Sequence, residues 1–416
     1  SVVFGENAAF SDGSIFNLCS GIKELTLYCP PGSDGGYWSL QYMEALENVY
    51  VPSELYSTYM DAWGKDMPEN VHLKSLGNEE FIVSEGVLIG YTGEETEITL
   101  PEGITEIGEN VFRNNKTVEK ITFPDGIKKI GAQAFDNSAI KEIINTDSLE
   151  EIGEYAFRNC KAFISPVMES QTLTEIGTGA FQYCEALSGT IILPQGLTEI
   201  RPYTFQGCSG VLSFELPESI VTIGEGAFSE CFMLEKINIP ENLTSIPSRM
   251  LYQCESLEGK LEIPDKVTAI GDSAFYGCIN ITEIGAWPPN LQSIGAEAFR
   301  GCYSLSGELY LPEGLTNIGA AAFYECSGLT GEAVVPDSVS ELPGSVFSGT
   351  GIESLVLGQG VSYIGRNVTY NCSSLKTITF RSQEPPEFAY AWEIFNEPAN
   401  LETIYVPQGS SESYVT

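Results

Sequence analysis

Histidine is almost missing from this chain: His72 is the only one in 416 residues. Mechanisms that need an imidazole base beside a second imidazole, or a pair of zinc-bound imidazoles, have no supply. Basic residues are scarce too. Twenty Lys and Arg stand against 57 acidic residues, a net charge of −37, which excludes nucleic acid as a partner. No run of about 18 apolar residues occurs, so no segment reads as a membrane span. The phosphate loop G-x-x-x-x-G-K-[ST], the H-E-x-x-H zinc motif, the G-x-S-x-G elbow and the EF-hand loop are all absent. No cofactor or resident metal is assigned. Apolar residues nevertheless reach 43%, ample for a dense core. The chain begins at Ser1, without Met or a signal-peptide pattern and within repeat sequence, and so reads as a trimmed piece of a larger protein.

What the chain does contain is a repeat. LTEIGTGAFQYC (173–184), LQSIGAEAFRGC (291–302) and LTNIGAAAFYEC (315–326) share the skeleton L-x-x-I-G-x-x-A-F-x-x-C. Its aromatic anchor recurs at Phe112, Phe135, Phe157, Phe181, Phe205, Phe228, Phe275, Phe299, Phe323 and Phe347, with Leu251 and Thr369 filling two slots, at spacings of 22 to 24 residues. Each unit continues into alternating apolar and polar residues, as in LEKINIP (234–240) and LKTITF (375–380), which is strand periodicity. A unit this short cannot bury its own apolar face, so successive units must stack, Leu on Leu and Phe on Phe. Pro such as Pro194, Pro240 and Pro264 ends the strand because it cannot donate to a ladder. The Gly after Ile (Gly108, Gly131, Gly153 and their equivalents) is expected to supply unusual dihedrals at a corner. A-F-x-x-C reads as a helical turn. Each coil is therefore strand, corner, short second strand and helical turn.

I-G-x-x-A-F-x-x-C-x-x-L followed by I-x-[IL]-P resembles the BspA-like class of bacterial leucine-rich repeats, over about a dozen units. The pattern is broken at Arg201-Pro202, Ile246-Pro247, Leu342-Pro343 and Thr369. The resemblance implies an α+β repeat solenoid, a leucine-rich-repeat right-handed superhelix with short strands on one face and short helical turns, 3-10 segments and strands on the others. It also implies secreted or surface-anchored proteins of mouth or gut bacteria, some implicated in attachment to host matrix proteins and to other bacteria. The function expected on that basis is non-enzymatic recognition or adhesion at an extracellular or cell-surface location. The partner is a protein or glycan, host extracellular matrix among them, and a monomer is favoured. A passive stalk and an accessory module of a carbohydrate-active enzyme are the alternatives.

Nine of the eleven cysteines, from Cys160 to Cys372, sit three residues after the anchor, and Cys19 sits likewise after Phe16. Elsewhere the same slot holds Asn115, Ser138 or Thr350, so a buried ladder of free thiols is expected rather than disulfides or metal sites. Cys29 has no match. LENVYVPSELYSTY (46–59) and LETIYVPQGSSESY (401–414) match in spacing, each after a Pro-Pro pair, and the first runs on to Trp63. These read as two array endings. The chain accordingly divides into residues 1–76, the end and cap of a first array, and 77–416, a second array whose capping strands begin at Phe81.

A residue present in every coil does a structural job, so recognition is sought among the outward positions beside the first Ile of each strand. Glu283, Glu308 and Glu332 fall in one such column, roughly 5 Å apart on successive rungs, where like charges repel. A cationic partner or a hard metal such as calcium would relieve that repulsion. Beside them Tyr310, Val334 and Val356 are expected to form an exposed apolar strip. These six are the candidate partner-binding residues. Paired carboxylates could also run a glycosidase, but 57 acids guarantee chance pairs. Trp287-Pro-Pro289 lies next door as a packed corner or a rim, and His72 reads as a strand residue.

Overall fold

The computed structural model describes residues 2–4, 21–28, 30, 45–63, 67–68, 71–76, 80–165, 167, 170–389 and 400–414. Phe16, Cys19, Cys29 and Gly32–Gly36 lie outside them. The chain forms two compact units, Ser1–Ala180 and Phe181–Thr416. Each is a β-solenoid built from parallel ladders of strands two to seven residues long.

In the first unit Val2–Phe4, Glu24–Leu27, Asn48–Val51 and His72–Ser75 form one parallel sheet, in register through Leu25, Val49 and Leu73. The helix Ser53–Trp63, the only one among the described residues, follows Pro52. It buries Tyr56, Tyr59 and Trp63, one face at helical spacing. The matching sequence near the other end of the chain makes strand Thr403–Tyr405 and then turns, not a helix. Gly409 sits there at φ 90°, a backbone a helix cannot hold. An antiparallel hairpin of Phe81–Ser84 and Val87–Tyr91 turns at Glu85 (φ 51°) and Gly86 (φ 82°). From Val87–Tyr91 a parallel column runs through Glu106–Ile107, Lys129–Ile130, Glu151–Ile152 and Glu175–Ile176. A second column holds Glu97–Thr99, Lys120–Thr122 and Glu142–Ile144. Two strands per coil is what the sequence pattern requires.

The A-F-x-x-C segment is not helical. In each coil from the one anchored by Phe112 to the one anchored by Thr369, two residues four apart, flanking the anchor, take left-handed backbone: Asn110 (φ 60°) and Asn114 (φ 59°), Gln133 (φ 55°) and Asn137 (φ 56°), and in the second unit Glu297 (φ 57°) and Gly301 (φ 74°). Asn and Gly tolerate that region, whereas residues such as Glu297 pay roughly 1 kcal/mol or more. The compensation lies in hydrogen bonding. Asn110, Phe112 and Asn114 donate their amides to the carbonyls of Ala132, Ala134 and Asp136 on the next coil, at 3.1, 2.7 and 2.9 Å. A helix would use those amides within its own turn; here alternate ones tie coil to coil.

The Gly after Ile corrects a second expectation. Gly108, Gly131 and Gly153 lie outside the left-handed region, and their role is close approach. A Cβ on Gly131 would fall 2.8 Å from the Glu109 amide nitrogen, and one on Gly153 2.6 Å from that of Ala132. Both contacts are to backbone, which cannot swing aside.

Inside the coils the anchors stack. Phe112, Phe135 and Phe157 have ring centroids 5.1 Å apart and nearly parallel planes, and Phe275, Phe299 and Phe323 follow at 5.2 and 5.5 Å. Each such buried ring contributes about 1.5–3 kcal/mol. The nine described thiols are free and buried. Cys160 Sγ lies 2.9 Å from the Phe135 carbonyl, Cys302 Sγ 3.2 Å from Phe275, and Cys326 Sγ 3.0 Å from Phe299. The thiol thus adds a second bond to a carbonyl that already accepts the amide three residues on, Phe135 from Ser138 at 3.0 Å, Phe275 from Cys278 at 3.2 Å and Phe299 from Cys302 at 3.2 Å. Thr350 does the same within its own coil, its hydroxyl 2.7 Å from the Phe347 carbonyl, and Asn115 Oδ1 accepts the amides of Thr117 and Val118.

Replacing Gly153 by Ala should cost about 1–3 kcal/mol, by overpacking against backbone. Asn159→Gly, at a left-handed position (φ 59°), should change stability by less than about 0.5 kcal/mol. Urea unfolding followed by circular dichroism distinguishes them. The thiols predict an alkaline limit. Burial pushes Cys231 and Cys302 from 9.0 up to about 12, and Cys160 to about 11. The fold thus favours the protonated thiol. Its stabilising contribution is complete below about pH 9 and is lost as pH rises towards about 12, because the unfolded chain releases its protons first. Each thiol should contribute a slope of about 1.4 kcal/mol per pH unit. Calorimetry across that range should show a steep fall in Tm, shallower in Cys302→Ala/Cys326→Ala.

Candidate functional site: the interrupted strand face

The strand face of the second unit is not one sheet. Gly189–Ile192, Val211–Glu215 and Lys236–Ile237 form a first ladder, Gly259–Leu261 and Ile281–Ile284 a second, and the strands from Gly307–Tyr310 to Thr403–Tyr405 a third. A cavity sits at each interruption.

The sequence departs from the repeat beside each interruption. Asn238 ends its strand by turning its side-chain amide onto the backbone of Leu216, accepting from the nitrogen at 2.7 Å and donating to the oxygen at 2.8 Å. The side chain takes the place of a further step between Val211–Glu215 and Lys236–Ile237, inside the first ladder. The adjoining cavity, about 550 Å³, is lined by Lys236, Asn238, Lys260 and Glu262 together with Ile237 and Ile239. At the second interruption the usual I-x-I-P becomes I-T-E-I-G-A-W-P-P. Two prolines remove donors, and Trp287 packs edge-on against Phe299 at 5.9 Å. Trp287 is thus both the packed corner and part of the rim, since it also lines the second cavity, about 490 Å³, with Glu283, Ser306 and Glu308.

The six candidate residues do not form one continuous column. Glu283 stands in register with Lys260, Tyr310 with Val334, Glu332 with Ser354, and Val334 with Val356. Glu283 and Glu308 belong to different ladders and meet across the second cavity. Repulsion among the acids is softened by neighbouring groups. Tyr310 Oη donates to Glu308 Oε2 at 2.9 Å, Ser354 Oγ lies 3.4 Å from Glu332 Oε2, and Lys260 Nζ pairs with Glu262 at 2.8 Å. The Glu308 hydrogen bond also raises the Tyr310 phenol above its ordinary value. Among the described residues no group of three His, Cys, Asp or Glu is placed to hold a metal ion.

The apolar strip needs correction. Tyr310 is 51% exposed, Val334 is half-buried, and Val356 is buried at 7%. Val356 is buried in the strand Gly351–Leu357, in register between Val334 and Thr379. His72 is an exposed strand residue between buried Val71 and Leu73.

A feature that sequence reasoning missed lies on the turn face. Tyr252 and Tyr276 stack at 4.8 Å, and the Arg300 guanidinium sits 5.5 Å from the Tyr276 ring and 4.7 Å from Tyr324. All four occupy the position directly after the anchor. Reading that column down the repeats would have found them.

Coils of two short strands, stacked on a ladder of Phe, Leu and Cys, define a leucine-rich-repeat β-solenoid. The sequence matches the profile described as BspA type leucine rich repeat region over residues 91–211, 174–306 and 292–413, and the chain belongs to that family. No curated protein matches it. Among solved structures it is similar to a leucine-rich repeat protein of Bacteroides ovatus ATCC 8483, at 24% identity over 79% of this chain and 100% of that one, with a TM-score of 0.53. The pneumococcal vaccine antigen PcpA matches at 21% identity over 79% and 91%, with a TM-score of 0.54. A leucine-rich cell-surface protein of Faecalibacterium prausnitzii A2-165 matches at 22% identity over 80% and 94%, with a TM-score of 0.46. No helix among the described residues is long and apolar enough to cross a membrane.

Because Val356 is buried, Val356→Asp should destabilise the second unit by about 2–4 kcal/mol, through burial of an unpaired charge. Glu332→Gln, on a half-buried side chain with one long hydrogen bond, should shift stability by less than about 0.5 kcal/mol. Denaturant midpoints of the two variants check the pair.

Proposed function

We propose that this chain is a non-enzymatic recognition solenoid of the bacterial cell surface or extracellular space. It engages a protein partner carrying a basic surface through the strand face of the second unit. The observation that carries this reading is the second interruption. Two carboxylates from separate ladders, Glu283 and Glu308, flank a cavity of about 490 Å³ beside Trp287, with exposed Tyr310 at the edge. Tyr and Trp are enriched among residues that dominate interface energies. A net charge of −37 steers basic surfaces towards the chain, an attraction that salt weakens. The location rests on membership of the BspA-type family.

The right-handed sense of the superhelix belongs to the same proposal, as do the division into residues 1–76 and 77–416 and the monomeric state. A glycan partner and the passive stalk are the competing readings. The accessory module of a carbohydrate-active enzyme is the remaining alternative.

The whole chain, passed over immobilised host matrix proteins and glycans, should be retained by at least one basic matrix protein. Retention should fall about 10-fold or more in Glu308→Gln/Tyr310→Ala, a loss of about 1.4 kcal/mol or more, with thermal unfolding unchanged. A wild-type chain retained by nothing supports the stalk, and retention unaffected by the double change removes the second interruption from the interface.

A further inference from the structure

In the second unit one coil meets the next through two strand ladders and a row of turn bonds, and at a single junction both ladders fail. The coil of residues 220–242 carries Thr222–Ile223 and Lys236–Ile237, and the coil of residues 243–266 carries Ser245–Ile246 and Gly259–Leu261. Neither strand of the first pairs with its counterpart in the second. At every other junction among the described residues of this unit at least one ladder holds. Even at the second interruption Ala269–Ile270 still pairs with Ser293–Ile294.

Departures from the repeat coincide at this junction. Pro247 stands where the corner Gly belongs. In other coils Gly224, Gly271 and Gly295 donate their amides to the carbonyls of Ile200, Ile246 and Ile270, at 2.7, 2.8 and 2.8 Å. Pro247 has no N–H, so the Ile223 carbonyl cannot receive the equivalent bond. Leu251 takes the anchor slot. Phe181, Phe205 and Phe228 stack at 5.5 and 5.8 Å, and the stack resumes only with Phe275 and Phe299 at 5.2 Å. The core is correspondingly open. Ile237 and Ile239 are half-buried, whereas Phe214 and Leu216 on the preceding coil are 2% and 5% exposed, and Leu261 and Ile263 on the following one 7% and 5%. The cavity of about 550 Å³ lies in this gap, lined from both coils.

The backbone hydrogen bonds that do cross the junction run along the turn side. Gly226, Phe228 and Glu230 donate to the carbonyls of Ser248, Met250 and Tyr252, at 3.0, 3.1 and 2.7 Å. Ser256 and Glu258 donate back to Phe232 and Glu235, each at 3.3 Å. Away from the turn, Lys266 Nζ reaches Asn242 Oδ1 at 2.7 Å between exposed side chains. One bonded side and two unbonded strand faces make a hinge, because rotation about the bonded side breaks no ladder. We propose that the second unit is jointed here. The coils before Leu243 and those after it swing as two rigid arrays about the turn bonds, and the swing widens and narrows the cavity on the strand face. The joint does not depend on which partner the strand face takes.

Spin labels placed in the whole chain by Thr190→Cys/Glu283→Cys span the joint over four coil steps, about 19 Å at the strand spacing. Tyr310→Cys/Tyr405→Cys spans four steps of the unbroken third ladder and serves as the control. Pulsed electron resonance should give a distance distribution about twofold broader or more across the joint than in the control. Restoring the repeat with Pro247→Gly/Leu251→Phe should narrow it to the control width. In the parent chain, amides 236–239 and 244–246 should exchange with deuterium about 10-fold or more faster than amides 260–263 and 268–270 of the next coil. The amides of Gly226, Phe228 and Glu230 should stay as protected as those of Arg249, Leu251 and Gln253, which bond to the next coil in the same way. A parent distribution as narrow as the control overturns the joint, whether or not the restored chain folds. Loss of protection at the three turn amides also overturns it, since the coil would then unfold rather than swing, as does a folded restored chain as broad as the parent.

Discussion

The distance between one coil and the next, fixed at the spacing of paired parallel strands, is the constraint from which the rest of this molecule follows. At that spacing a Cβ at most corners would strike the preceding backbone, so most of these corners hold Gly facing main-chain atoms of the preceding coil, with Arg201 and Pro247 as exceptions. Along the turn the same spacing draws alternate amides out of any helical pattern and onto the neighbouring coil. The left-handed residues on either side of the anchor allow that geometry. A Cys thiol, small enough to lie in the core and a weak donor, then adds a second bond to the anchor carbonyl of the preceding coil.

So uniform a scaffold has little to offer a partner except where it fails. In the second unit the strand face fails twice, and beside each break the sequence departs from the repeat. Asn238 substitutes a side-chain amide for a ladder step, and Trp287 with its prolines forces a corner. Each failure leaves a cavity whose rim is made of the variable outward positions. The repeats thus supply rigidity, while departures from them supply shape. Such an arrangement holds its surface groups in place before any partner arrives, which reduces the entropy lost on binding.

Charge is distributed by the same logic. In the first unit acids and bases alternate from coil to coil, with Lys120 to Glu142 at 3.1 Å, Lys128 to Glu150 at 2.8 Å and Lys141 to Glu119 at 2.7 Å. These pairs are exposed and individually worth little, but they prevent like charges from stacking in register. Around Glu308 no base takes that part; the neighbouring Tyr310 hydroxyl does so instead. The acidic excess is therefore left available there.

Much of the fold is legible in the order of residues. Phe at intervals of 22 to 24, alternation before each Pro, and a Cys slot that accepts Ser, Thr or Asn together require stacked coils with stacked rings and free thiols. These features are local, recur in every coil and need no knowledge of which coil touches which. The helical turn, the supposed freedom of the corner glycines and the exposure of Val356 read differently in the structure. Each depends on what the adjacent coil presents: a carbonyl to receive an amide, a backbone too close for a Cβ, side chains in register on either side of Val356. Glu283 and Glu308 were recognisable as outward-facing acids, but only the tertiary structure places them across a break rather than along a ladder. Pro247 and Leu251 stood out as breaks in the pattern, yet the failure of both ladders at their junction could not be found from the sequence, because whether a strand pairs is decided by the coil beside it. Repetition by itself determined how the coils are made; contact between coils decided which strands remain unpaired, because hydrogen bonding and close packing are settled only when a neighbour is in place.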